Sequence, residues 1–189
     1  MLDEDNYATL TTLPDFAFYA LFMENTNLTD ASGLLLPATT LVESCYSSMF
    51  EGCTSLVTAP ALPAETLASD CYRSMFKGCT SLTTAPALPA TTLANYCYRS
   101  MFSGCTSLTT APVLPATTLA GSCYNFMFNG CTSLSSITCL ATAGINQNNS
   151  TSNWVNSVAS TGTFTKASGA TSWPTGNNGI PEGWTVNEQ

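Results

Sequence analysis

Histidine is absent from the 189 residues, and lysine and arginine together number four against twelve acidic residues, for a formal charge of −8. The commonest general base and metal ligand is therefore missing, and neither a Cys–His nor a Ser–His pair can be assembled. So few cations argue against nucleic acid, whose phosphates need clustered Lys and Arg, and against an anionic membrane surface. Charged residues make up only 8% of the chain, where soluble domains average about 25%. Long apolar runs are scarce too. Leu34-Leu35-Leu36 is the longest purely aliphatic one, against the ~20 residues of a membrane-spanning helix. Met1-Leu-Asp-Glu-Asp carries no basic leader followed by an apolar stretch, so the signal of an exported protein would lie outside this chain.

Hydroxyls take the place of charge, with thirty threonines, while 44% hydrophobic residues allow a core. Ten of the twelve acids fall between Asp3 and Asp70 with no base among them. No hard-metal loop spacing accompanies them, so they read as a solvated acidic end and not as a cation site.

The nine cysteines reveal a repeat. Cys45, Cys71, Cys97 and Cys123 are 26 apart, as are Cys53, Cys79, Cys105 and Cys131. Copies begin at Leu41, Leu67, Leu93 and Leu119, giving 41–66, 67–92, 93–118 and 119–140. A worn first copy, about 13–40, aligns through Leu13, Phe18, Leu21, Phe22, Leu28 and Leu36-Pro37-Ala-Thr-Thr40. One copy could not bury its own apolar face, whereas five can stack a continuous core. The array is thus assigned to 1–140 and a capping segment to 141–189.

Within a copy, Leu93, Cys97, Met101 and Phe102 fall at i, i+4, i+8 and i+9, which predicts a helix capped by Thr91 or Thr92 and stopped at Gly104. After Cys105, Leu108-Thr-Thr-Ala111-Pro112-Val113-Leu114-Pro115 suits a short strand. Leu134-Ser-Ser-Ile137-Thr-Cys139-Leu140 shows it best, with Ile137 and Cys139 inward and Thr138 outward. Parallel strands stack at ~4.8 Å and helices at ~8–10 Å, so the expected fold is an α/β, leucine-rich-repeat-like right-handed solenoid. Short parallel strands would line its concave side and short helices its convex side, with an α+β cap at the C-terminus. Pro60, Pro86 and Pro112 recur inside the expected strands, each removing a ladder N–H; the strands must be very short or end there.

Comparing copies separates a variable side from a constant one. Glu43/Ser69/Asn95/Gly121, Ser44/Asp70/Tyr96/Ser122, Ser47/Arg73/Arg99/Asn125 and Glu51/Lys77/Ser103/Asn129 change and are expected to face solvent. Thr58, Thr84, Thr110 and Ser136 barely change and lie beside Pro60, Pro86, Pro112 and Thr138; with Thr138 they form a candidate binding surface, although recent duplication also explains the sameness. Thr54, Thr80, Thr106 and Thr132 make a second regular rank of hydroxyls. Beyond Ala141 the sequence repeat stops. A short helix is expected at 149–158, and strands at Gly162-Thr-Phe164-Thr-Lys and Gly183-Trp184-Thr-Val186. Trp154, Trp173 and Trp184 all lie here, either as a cap over the last copy or as an aromatic platform for sugar stacking.

Catalysis finds little to work with. Nucleophiles abound, but no base does, and the acids sit at variable exposed places or in the tail. Metal is disfavoured because Cys45 and Cys53 are eight apart and no His can assist. Equivalent cysteines in neighbouring copies have parallel Cβ vectors, whereas a disulfide needs them to converge to about 3.8 Å. They are expected to be reduced and buried.

The string Met-Phe-x-Gly-Cys-Thr-Ser-Leu-Thr-Thr-Ala-Pro-x-Leu-Pro at 75–89 and 101–115 resembles the BspA-like leucine-rich repeats of bacterial surface proteins. Phe76, Cys79, Leu82 and Ala85 match that family's aromatic-Cys-Leu-Ile core in order. The tail at 159–166 and 179–186 looks like the ending that accompanies such arrays. The unit length of 26 and the Ala-Pro where Ile is usual depart from the family. The resemblance implies export to the cell surface and adhesion to protein or glycan partners on host or bacterial surfaces, without cofactor. It carries over no binding residues. An isolated array is expected to be monomeric, and the alternative to adhesion is a stiff spacer that binds nothing tightly.

Overall fold

A computed structural model describes residues 13–189; residues 1–12, among them Asp3, Glu4 and Asp5, lie outside the described part. The copies are hydrogen-bonded side by side, in order and in parallel. Bridges join Asp30 to Thr58, Thr58 to Thr84, Thr40 to Thr66, Thr66 to Thr92, Thr110 to Ser136 and Leu114 to Cys139. On this side the pairing is confined to single bridges as far as the fourth copy, because Pro60, Pro86 and Pro112 follow two residues after Thr58, Thr84 and Thr110 and cannot donate. In the fifth copy Thr138 replaces proline, and the bridge lengthens into strand β1, Ser136–Cys139. Its Ile137 and Cys139 are buried while Ser136 and Thr138 are only partly so, the alternation expected of a strand with one face on the core. Strands β2, Thr163–Lys166, and β3, Thr185–Glu188, continue the parallel sheet in the order β1-β2-β3, with Phe164 opposite Ile137.

The other side of each copy holds no helix. Among the described residues there is no α-helix, and 15–24, 43–52, 69–78, 95–104, 121–130 and 148–157 are unbroken runs of turns. Two sets of N–H groups alternate along such a run. In the third copy Arg73, Met75 and Lys77 donate to the carbonyls of Asp70, Tyr72 and Ser74, three residues back, at 3.1–3.2 Å. Tyr72, Ser74, Phe76 and Gly78 instead donate to Cys97, Arg99, Met101 and Ser103 of the next copy at 2.8–3.0 Å. Each run is therefore tied to its neighbour by backbone bonds, as a strand would be, while folding back on itself every fourth residue. Asp70, Ser74 and Gly78 make the reversals with φ of 55°, 54° and 73°, and the same places are left-handed in every copy.

The expected convex helices are thus corrected, for two physical reasons. Neighbouring rings stand 5.4–6.2 Å apart along the stack, too close for helices that need ~8–10 Å between axes. The apolar period is also four, not 3.6. A residue at i+4 on a helix has drifted by about 40° from residue i, whereas here Cys71, Tyr72, Met75, Phe76 and Cys79 are all at most 1% exposed. With both sides of the copy spaced like strands, the expected reason for an arc disappears as well.

Glycine ends each full run. Gly52, Gly78, Gly104 and Gly130 lie one above the next, and a Cβ on Gly104 would meet Gly78 at an ordinary 3.7 Å. Space is available, so the obstacle to a side chain is the φ of +77°. Gly104→Ala is expected to destabilise by about 1–2 kcal/mol, a fall in melting temperature of about 2–8 °C. Ser100→Gly, at a non-glycine left-handed place, should raise it. Thermal unfolding of the two variants checks both signs.

Two columns of rings form the spine. Phe18, Tyr46, Tyr72, Tyr98 and Tyr124 stack at 5.6–6.2 Å, and Phe22, Phe50, Phe76, Phe102 and Phe128 at 5.4–5.8 Å. The tyrosine column was not anticipated, because the face read from Leu93, Cys97, Met101 and Phe102 left Tyr98 out, although a helix would also have placed it beside Met101 and Phe102. Where the sequence repeat stops, the backbone pattern does not. The run 148–157 takes up N–H groups from Ser122, Tyr124, Phe126, Phe128 and Gly130 at 2.8–3.0 Å, so the expected helix at 149–158 is a sixth run of turns instead.

Candidate binding surface

Thr58, Thr84 and Thr110 are exposed on the strand side, one per copy. Ser136 and Thr138 are half-buried, covered from β2 by Thr163 and Thr165. Between the threonine positions the recurring prolines and alanines leave two apolar grooves. One, of about 570 Å³, is lined by Thr58, Pro60, Pro63, Thr84, Pro86 and Pro89 among others. The second, of about 470 Å³, continues along Ala87, Pro89, Pro112, Val113 and Pro115. The residues that interrupt the ladder are thus the ones that shape this face: proline breaks the pairing and leaves an apolar wall between hydroxyls.

The three tryptophans separate. Trp154 is fully buried, its ring 6.0 Å from Tyr124 and 5.4 Å from Trp173, with Phe128 and Phe164 also against it. Its Nε1–H donates to the Gly179 carbonyl at 2.8 Å. Trp184 is 7% exposed and donates to the Ala159 carbonyl at 2.8 Å. Trp173 is partly buried and donates to Ala141 at 3.3 Å. None of the three joins the strand-side threonines. A sugar needs an open ring face, which Trp154 does not have.

At the variable places the structure is mixed. Glu43, Arg73, Lys77, Asn95 and Tyr96 are exposed, but Ser44, Ser47, Ser122 and Asn125 are buried, because the four-residue period turns parts of these positions toward the core. Around Tyr96 sequence reasoning missed a polar cleft of about 370 Å³, bordered by Asn95, Tyr96, Gly121, Ser122, Asn148 and Asn149. Arg99 covers the Tyr96 ring at 5.7 Å. The available signal was Tyr96 itself, the single aromatic among the four full copies, where the others have Ser44, Asp70 and Ser122. On the other hydroxyl rank, Thr80 donates to the Thr54 carbonyl at 3.2 Å and Thr106 to that of Thr80 at 3.4 Å, so these protons are directed along the stack.

All nine cysteines are free and buried. The thiols of Cys53, Cys79, Cys105 and Cys131 donate to the carbonyls of Phe22, Phe50, Phe76 and Phe102 in the preceding copy at 3.0–3.1 Å. Burial pushes the Cys71, Cys79, Cys123, Cys131 and Cys139 thiols up to about 12. Such thiols supply neither thiolate nucleophile nor ready metal ligand at neutral pH. Among the described residues no group of three or more Cys, Asp or Glu is placed to hold a metal ion. The acids with close partners are held at the surface: Glu51 by Lys77 at 2.8 Å, Asp70 by Arg73 at 3.3 Å, Glu188 by Lys166 at 2.6 Å. The ammonium of Lys166 holds the exposed Glu188 carboxyl below its ordinary range.

Comparison with protein-family models, with curated proteins and with solved structures gives no match.

Proposed function

We propose that the chain is a non-enzymatic recognition module, a leucine-rich-repeat-like solenoid of the BspA-like kind. On this reading it is exported to a bacterial surface or beyond it, and it holds its strand side to a protein or glycan. The observation that carries the reading is the row of exposed Thr58, Thr84 and Thr110 beside two continuous Ala/Pro grooves. Apolar walls with a few placed polar groups are what recognition surfaces combine. The backbone behind them is tied copy to copy, so little ordering free energy is lost on binding.

The test is a glycan array together with a pull-down against epithelial and bacterial surface proteins, using the wild-type chain beside Thr84→Lys and Thr110→Lys. Both residues are exposed, so the variants should fold. Each should weaken a strand-side partner by about ten-fold or more, roughly 1.4 kcal/mol. A second reading, a stiff spacer, is favoured by the near-identity of the face from copy to copy. Silence in both assays supports it.

A further inference from the structure

The polar cleft of about 370 Å³ beside Tyr96 is bordered by residues of the fourth and fifth copies and of the run that follows them. Two of its residues are not what the fold asks for. Tyr96 has a φ of 58°, in the left-handed region that is costly for a bulky side chain. Yet it is 39% exposed, so packing does little to offset that cost. In the other full copies the same left-handed place holds Ser44, Asp70 and Ser122, at φ of 52°, 55° and 52°. Backbone strain that packing does not recover points to a use at the surface.

Gly121 is the second. Its place holds Glu43, Ser69 and Asn95 in the other full copies, and its φ lies outside the left-handed region, so the backbone does not require glycine there. The missing side chain leaves space instead: a Cβ would stand 3.0 Å from the Asn95 Oδ1 and 3.7 Å from the Asn148 Cβ. The Gly121 N–H donates to the Asn95 Oδ1 at 3.0 Å, which holds that carboxamide by its oxygen and leaves its NH2 group as a donor. Asn148 is held through its main chain, where its carbonyl accepts from the Ser122 N–H at 3.0 Å and from the Ser122 hydroxyl at 3.4 Å. Glycine thus forms a floor between two fixed asparagines, with Tyr96 as a wall.

The lining decides the class of ligand. Asn95, Tyr96, Gly121, Ser122, Asn148 and Asn149 include no charged side chain, so an ion would be desolvated there without a counter-charge. They include no aliphatic side chain either, which removes the pocket that a peptide's apolar anchor needs. Each carboxamide carries donors and an acceptor together, the complement of hydroxyl groups that do both, and the tyrosine ring offers an apolar face with a polar tip. We propose that this cleft binds a small neutral saccharide. Arg99 lies over the Tyr96 ring at 5.7 Å without bordering the cleft, which makes an acidic sugar the rival class and an outcome of the test. The cleft shares no residue with the threonine and proline face, so the inference does not depend on the strand-side reading.

The probes are maltose, cellobiose, lactose and diacetylchitobiose, with glucuronate and a blocked trialanine peptide as controls, each titrated into the full chain by calorimetry and ligand-observed NMR. Saturable binding of at least one neutral disaccharide is expected. Tyr96→Ser, matching the second and fifth copies, and Gly121→Asn, matching the fourth, should each weaken it about ten-fold or more with an unchanged circular dichroism spectrum. Thr84→Lys, on the strand side, should bind as the wild type does. The proposal is overturned when no neutral probe saturates, when glucuronate or the peptide binds more tightly than every neutral probe, or when Tyr96→Ser and Gly121→Asn both bind as the wild type does.

Discussion

Raising the pH from 8 to 11 is expected to unfold this protein cooperatively, with a midpoint between about pH 10 and 11. Desolvation raises the five thiols of Cys71, Cys79, Cys123, Cys131 and Cys139 from an ordinary value of 9.0 to about 12. Cys97 and Cys105 are held well above the ordinary value by the same cause. For a group raised on folding, the contribution is fully present below the unfolded value and is lost as pH climbs toward the folded one. Above pH 9 the unfolded chain releases these protons while the folded chain keeps them. Each thiol then removes about 1.4 kcal/mol per pH unit. Five together remove roughly 7, against a total stability of about 5–15 kcal/mol for a domain. The raised tyrosines Tyr72, Tyr98 and Tyr124 act in the same direction.

Thiolate absorbance and circular dichroism followed in one titration check this. The two signals should move together, and thiol counting at neutral pH should find no reactive group before denaturant and nine after it. Thiolates appearing near the ordinary value with an unchanged spectrum would mean that the cysteines are not the core.

What the sequence disclosed divides along the two sides of a copy. The strand side was legible because its signal is alternation: Ile137 and Cys139 inward and Thr138 outward, and Phe164 buried in β2, whereas the final strand expected at 183–186 lies at Thr185–Glu188 with all four residues exposed. Proline was legible too, since Pro60, Pro86 and Pro112 hold the pairing to single bridges. The turn side was misread because Leu93, Cys97, Met101 and Phe102 fit a helix of about three turns as well as they fit a period of four. What discriminates is the sustained spacing: Cys97-Tyr98 and Met101-Phe102 are adjacent apolar pairs four apart and Cys105 stands four beyond Met101, a period that a helix would carry round by about 40° at each step. Gly104 in register with Ser100 and Tyr96, all with positive φ, belongs to the same pattern. Single-residue propensity hides this, because nothing about serine or tyrosine announces a left-handed backbone. The strand-side face follows from composition once the register is known, whereas the Tyr96 cleft depends on a difference between copies that a consensus erases.

Trp154 decides what the tail is for. Trp154→Ala is expected to destabilise the protein by about 3–5 kcal/mol, since a large ring at the centre of a core leaves a cavity that its neighbours fill only in part. The site is worse placed than most to collapse. Both aromatic columns end on this one ring, Tyr124 from one and Phe128 from the other, and Trp173 and Phe164 close over it. Trp154→Phe keeps a stacking partner but strands the buried Gly179 carbonyl that now accepts the indole N–H, a loss of about 1–3 kcal/mol. Urea unfolding of both variants should show that order. The effect should extend beyond the tail, because the same ring stands behind β1 and β2 through Phe164. If the alanine variant lost under about 1 kcal/mol while abolishing capture of a glycan, the ring would be a recognition platform and not the end of a core. Its complete burial argues for the cap. The tail then belongs to the stack as its last element, supplying an indole where a further pair of rings would otherwise be required.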